Sequence, residues 1–356
     1  MPEHRHPGAA PARARLSGFQ RLAVTATLVT LLLIAMGGLV RATDSGLACP
    51  DWPQCYGKLI PRQADLPEGL SLVNVWIEHS HRLVASVVGF LILAVVVWAV
   101  RSHRDRPMIL WPALAALGLV VAQAYLGRQV VLGLLRANLV TAHLGMALAV
   151  VACLAVVTVE TFVPRASGAA GRGRRMGLAR LGAGIALLAY VQALVGATVT
   201  GLGAGLAFRG FPLADGQLLP PVATRPEAMH MTHRLLALIL AAAIVYLAWR
   251  AARYRSQLVS EGAWDPRQHW VVRLAMWAAA LVAVQIGLGA ANLWNDLSAV
   301  TVVPHLAIAS WIWTVLVVLT ALAYRLAPAQ PRQLRVPVTG AERRQAGEAS
   351  REAASQ

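Results

Sequence analysis

The sequence predicts an all-α integral membrane protein: eight transmembrane helices arranged as two pseudo-symmetric four-helix bundles, a parallel internal repeat. Three observations carry the prediction. The chain of 356 residues is 57% hydrophobic and only 13% charged, a balance that belongs in a bilayer rather than in water. Its apolar residues gather into eight runs near 22–40, 78–100, 109–127, 139–163, 181–201, 229–249, 273–293 and 299–324, each close to the ~20 residues that cross the hydrocarbon core. And the chain repeats itself. Gly46-Leu-Ala-Cys-Pro-Asp-Trp-Pro-Gln-Cys-Tyr-Gly57-Lys-Leu-Ile-Pro61 aligns without a gap on Gly205-Leu-Ala-Phe-Arg-Gly-Phe-Pro-Leu-Ala-Asp-Gly216-Gln-Leu-Leu-Pro220. Gln123-x-x-Leu-Gly127 likewise falls on Gln285-x-x-Leu-Gly289, and His143-Leu on His305-Leu.

Taken in order, residues 1–21 are a polar, Arg-bearing cytoplasmic tail. Residues 22–163 are the first four-helix half and 164–180 a Gly/Arg-rich linker. Residues 181–325 are the second half, and the Pro-, Arg- and Glu-containing stretch 326–356 is expected to be a disordered cytoplasmic tail. Four spans return the chain to the side it left, so the copies are parallel, related by an axis along the membrane normal. The net charge of +16 would suit nucleic acid, but the basic residues fall in short segments between apolar runs, as membrane orientation requires. Arginines crowd the N-tail, the loops at 101–106, 165–180 and 250–273, and the C-tail, which places both termini in the cytoplasm of a bacterial cell with the Cys49/Cys55 loop outside. No cleavable signal peptide closes the first run. Cys49 and Cys55 then lie in an oxidising compartment and can form a disulfide, the alternative being two free thiols; Cys153 lies in an apolar run as a small hydrophobe.

The residues with chemistry sit where polar loops meet apolar runs. Glu78-His-Ser-His81-Arg82 opens the second run, and His230-Met-Thr-His233-Arg234 opens the sixth. Glu78 and His81 are three residues apart and share a helix face; His79 points away from His81, matches Met231 in the other copy, and reads as structural. His230 matches Glu78, not a histidine, so it reads as support for His233. Four histidines remain: His81, His143, His233 and His305. All fall in the first few residues of even-numbered runs, hence at one depth near the outer leaflet. Helices two and four of each copy run the same way, so each copy can face two imidazoles across a bundle core, where helix bundles place cofactors. With no carboxylate or thiolate completing a tetrahedral set, the pairs fit axial ligation of haem better than zinc. Nearby glycines (Gly37, Gly38, Gly89, Gly127, Gly145, Gly196, Gly287, Gly289) would let a flat macrocycle approach, or serve ordinary helix packing. Arg82 and Arg234 are candidates for propionate contacts, or for arginines snorkelling to the interface.

At these residues the sequence resembles the haem A synthase family of bacterial and mitochondrial membranes, over about 22–325. The resemblance rests on Gly46-Leu-Ala-Cys-Pro-Asp-Trp-Pro-Gln-Cys-Tyr-Gly, Glu78-x-x-His81-Arg, His143-Leu-Gly, His233-Arg and His305-Leu. It implies an oxidoreductase that converts the C8 methyl of haem O to a formyl group through a hydroxymethyl intermediate, supplying haem A to terminal oxidases. It further implies haem b as cofactor on His233 and His305, haem O as substrate at His81 and His143, and Glu78 as the catalytic carboxylate. Haem O synthase, an electron-transfer partner, membrane lipid and a second copy of the chain are the expected partners. The alternative from another class is a di-haem electron-transfer cytochrome. It shares the paired histidines but has no use for a carboxylate beside one of them. A transporter with parallel repeats explains the duplication but not four histidines at one depth.

Overall fold

The computed structural model describes residues 15–163, 177–262, 264 and 266–326. The N-terminal tail to residue 14, most of the 164–180 linker and the expected disordered tail lie outside the described residues. Among the described residues eight helices are long and apolar enough to cross a membrane, and the only β pairings are two isolated bridges in loops. In chain order they are α1 Gly18–Ala42, α2 Leu72–Ser102, α3 Pro107–Leu132, α4 Ala137–Phe162, α5 Gly177–Gly201, α6 Arg225–Ser260, α7 His269–Trp294 and α8 Ala299–Arg325. The chain is a multi-pass membrane protein.

The helices outrun the apolar stretches because their ends are set by caps rather than by hydropathy. Ser17 and Gln20 close a capping box at the start of α1, and Thr224 and Glu227 one at the start of α6. Pro107 occupies the first turn of α3, where its missing N–H costs nothing. α2, whose start has no side-chain cap, also begins six residues before the run expected at 78–100, and at its other end α6 continues eleven residues past the run expected at 229–249. The histidines therefore sit deeper than the first few residues of their helices. His81 is nine residues beyond Leu72 and His233 eight beyond Arg225, while His143 and His305 are each six beyond their helix starts. At ~3.6 residues per turn this is about two turns in.

The same helix pairs pack in both halves. In the first, α1 and α3 each pack on α2 and α4; in the second, α5 and α7 each pack on α6 and α8. Each half has its own buried core, built around Ile92, Ile109 and Leu154 in one and Ile244, Leu247 and Leu316 in the other. The seam between halves is made by α1, α4, α5 and α8. A third core of Leu31, Ile34, Leu148 and Val151 fills it, and Trp313 of α8 donates its indole N–H to Leu148 O of α4 at 3.0 Å. Gly38 admits Leu306 and Gly145 admits Leu194 and Tyr190, the close approach that small residues give membrane helices. At the end of the bundle away from the 43–71 loop, the buried Glu160 of α4 is flanked by Arg106 at 3.6 Å and Arg325 of α8 at 3.2 Å. The four loops preceding the even helices gather at the opposite end. There Gly46 meets Leu135, Gly205 meets Leu297, and the end of α5 at Gly201 meets Ala137.

The Glu160 cluster ties the two halves through charges buried among apolar side chains, so removing its carboxylate is costly. Glu160→Ala is expected to lower unfolding stability in detergent by on the order of 3 kcal/mol. Asp44→Ala, which breaks the exposed Arg41–Asp44 pair, should change it by less than about 0.5 kcal/mol. Equal melting curves for the two variants would contradict the role given to Glu160.

Candidate functional site

Each of the four histidines predicted from sequence projects from an even helix onto a glycine of the neighbouring odd helix. A methyl added at Gly37 of α1 would fall 3.2 Å from His81 Nε2, and one at Gly127 of α3 would fall 3.2 Å from His143 Cε1. In the second half a methyl at Gly196 of α5 would fall 3.0 Å from His233 Cε1, and one at Gly289 of α7 would fall 3.4 Å from His305 Cε1. The glycines near the sites thus divide by what they face. These four make room for imidazoles, Gly38 and Gly145 serve helix packing, and Gly89 and Gly287 border open space. His81 and His143 are close enough for their charges to interact, as are His233 and His305. The structure therefore brings the expected histidines together in two pairs, one in each half.

The ring nitrogens Nδ1 of His143 and His305 are buried without a hydrogen-bond partner. A buried polar atom normally has one, so an imidazole left in this state on two equivalent helices fits a ring whose partner is a bound group. Paired imidazoles with no third protein donor suit a metal held axially in a planar ligand, the arrangement of haem. His81, His143, His233 and His305 are the residues able to hold it.

The loops above the sites are fastened to the even helices by the residues around His81 and His233. Glu78 is buried. Its Oε2 accepts the Cys49 amide at 2.9 Å and its Oε1 pairs with Arg82 at 2.5 Å. Arg82 goes on to donate to the carbonyls of Cys49 at 3.1 Å, Asp51 at 2.5 Å and Gln54 at 2.9 Å. In the second half the equivalent contacts recur. His230 Nδ1 accepts the Phe208 amide at 3.3 Å, and Arg234 donates to Gly210, Pro212 and Leu213 carbonyls at 2.8, 3.3 and 3.4 Å. Arg82 and Arg234 are thus loop clamps, a use the sequence reading missed. The signal was present: each arginine follows its histidine directly, while the loops align without a gap. Arg234 Nη1 remains buried and unpaired, so only this second arginine keeps a buried donor open to a ligand.

Within the first loop, Cys49 and Cys55 form a disulfide of 2.03 Å, as expected for an oxidising face. His79, buried as its structural reading requires, binds Leu59 O through Nε2 at 2.8 Å. Cys49, Cys55 and His79 lie close enough to hold a metal ion, but the sulfurs are bonded to each other and offer no thiolate. In the second loop the equivalent positions hold Phe208, Ala214 and Met231, which form a small apolar cluster instead. Asp51 accepts the amides of Tyr56 at 2.6 Å and Gly57 at 2.7 Å. Burial pushes its carboxyl up, but these amides and the Arg82 charge outweigh it and hold the pKa below the ordinary carboxylate value. A further residue missed from sequence touches a histidine ring directly: Gln192 of α5 places Nε2 3.0 Å from His233 Nδ1 and 3.0 Å from His233 O. Its spacing carried a signal, since Gln192 stands four residues before Gly196 as Gln123 does before Gly127 and Gln285 before Gly289, but the ring contact exists only once α5 meets α6.

Known proteins resemble the chain over most of its length. Residues 20–317 match the COX15-CtaA family, described as cytochrome oxidase assembly protein. A protein of Shouchella clausii named heme A synthase is 32% identical over 254 residues, covering 68% of this chain and 79% of the relative. One of the same name from Symbiobacterium thermophilum is 28% identical over 316 residues, covering 85% of this chain and 94% of the relative. A third, from an Exiguobacterium species, is 30% identical over 238 residues, covering 66% of this chain and 74% of the relative. The chain belongs to the COX15-CtaA family of cytochrome oxidase assembly proteins.

Proposed function

We propose that the chain is a haem A synthase, an enzyme that oxidises the C8 methyl of haem O to a formyl group through a hydroxymethyl intermediate. The observation that carries this reading is an asymmetry. Two histidine pairs rest on matching glycines, but a buried carboxylate stands one helical turn from a paired histidine in only one of them. An electron carrier needs two haem sites and no such carboxylate, whose burial in a membrane protein is costly. In this reading the first half, 22–163, takes haem O as substrate between His81 and His143. The second half, 181–325, keeps haem b between His233 and His305. Both sites lie toward the outer face and both termini toward the cytoplasm, by the arginine distribution in the sequence. Haem b, when bound, supplies one-electron redox chemistry.

The roles of the protein groups follow from their contacts. His81 and His143 would hold the substrate haem, and the Cys49–Cys55 loop is fastened beside His81 through Glu78 and Arg82. Oxidation of a methyl carbon attached to the porphyrin builds positive charge there, and a carboxylate fixed nearby lowers its energy. Both oxygens of Glu78 are already held, one by the Cys49 amide and one by Arg82. That favours a fixed charge over a proton acceptor that must turn toward an incoming water. The loop clamp and the disulfide hold the carboxylate in place. Haem O reaches the site from a haem O synthase, and an electron-transfer partner regenerates the second half.

Two experiments test the reading. Glu78→Gln keeps the shape of the side chain and removes its charge. Haem content should stay close to wild type while haem A formation falls by ~10²-fold or more; wild-type output from this variant would refute the catalytic role. Gly196→Ala presses a methyl against His233. At the usual cost of overpacking, haem b occupancy should fall by about tenfold. Gly184→Ala, on the same helix but facing open space, should leave it unchanged, and equal occupancy in both variants would contradict the seat assigned to Gly196.

A further inference from the structure

The two halves differ beside their odd-helix glycines. On α5, Gln192 stands one turn before Gly196, so both reach His233; by the repeat the same place on α1, one turn before Gly37, is held by Leu33. We infer that Gln192 is a positioning residue for the resident-haem ligand His233, holding its Nδ1 by a hydrogen bond that the substrate-haem ligand His81 lacks. This inference rests on the haem assignment proposed above and deepens it.

The hydrogen-bond inventory of the site supports it. The Gln192 amide is mostly buried, with its NH2 placed against both His233 Nδ1 and the His233 carbonyl. Its oxygen is buried with no donor at all. Nitrogen and oxygen of such an amide exchange places by a turn about one bond. A neutral imidazole that ligates through Nε2 carries its proton on Nδ1, and the nearest acceptor for that proton is the unpaired amide oxygen of Gln192. The exchanged amide oxygen also has to move off the His233 carbonyl, which Nε2 now contacts at 3.0 Å, and that carbonyl keeps its own helical N–H donor inside α6. An accepted Nδ1–H raises the donor strength of the imidazole and fixes its plane, which favours ferric over ferrous iron. The arrangement suits a haem that stays and cycles electrons. On α3 Gln123 likewise stands one turn before Gly127, but it gives its Nε2 to the His143 carbonyl at 2.9 Å, whereas Gln192 reaches the His233 ring itself and Leu33 offers His81 no polar group.

The test uses the purified full-length holoprotein, with the midpoint potential of haem b measured by spectroscopic redox titration. Gln192→Leu installs the residue of the other half and should raise the ferrous fraction at fixed potential about tenfold, a shift of about 59 mV upward. Gln192→Glu keeps and strengthens the acceptor and should shift the potential the other way. Loss of haem b from the folded Gln192→Leu protein with retention in Gln192→Glu also supports the inference. Unchanged potentials in both variants, or loss of haem b from both, overturn it. His233→Ala separates the two levels. If haem b survives that substitution, the ligand assignment itself is wrong; if haem b is lost while both Gln192 variants titrate like wild type, only the role of Gln192 fails.

Discussion

An imidazole between packed membrane helices needs a gap in the facing helix, and this fold supplies that gap four times with a glycine. Gly37, Gly127 and Gly196 leave less than a methyl's worth of free space above the ring they face, and Gly289 just enough for one. The rings cannot swing far without meeting backbone, so their directions follow from how the odd and even helices pack. That packing is the same in both halves, and the rest of the site is attached to it. The loops are clamped to the even helices by Arg82 and Arg234, one residue beyond the seated histidines. Loop and imidazole are therefore fastened to the same helix in each half.

On this shared frame the halves carry different inserts, all gathered around the seated histidines. Cys49, Cys55 and His79 give way to Phe208, Ala214 and Met231 at the same contact. Glu78 gives way to His230, yet both accept the amide of the first residue in their cluster. Holding the loop therefore does not require a carboxylate, since a neutral imidazole performs the same task opposite Phe208. What Glu78 adds is charge, locked by Arg82 near His81. Leu33 and Gln192 diverge in the same way one turn from the glycine seats. The two copies thus share one frame and differ in a few polar residues beside the seated histidines.

Much of this was legible in the sequence because it depends on local or repeated signals. The eight spans follow from hydropathy, the partnering of His81 with His143 and of His233 with His305 from helix direction, and the Cys49–Cys55 bond from loop side. Helix ends were misplaced where caps such as Thr224 with Glu227 extend a helix beyond the bilayer core. The loop-clamp contacts of Arg82 and Arg234 were not read from sequence, because the loop carbonyls they bind carry no side-chain signature. Gln192 and the Glu160 cluster escaped notice for a related reason. Each is a polar residue in an apolar run whose partner comes from another helix, so its contact follows from packing, although Gln192 shares its spacing to a glycine with Gln123 and Gln285.

The central claim is that one half transforms the haem it binds while the other keeps its own. The direct measurement is mass analysis of haems extracted from the full-length protein after co-expression with a haem O-producing enzyme. The account predicts haem b together with haem A or its hydroxymethyl precursor. Haem b with unmodified haem O alone, from protein with both sites filled, would contradict it.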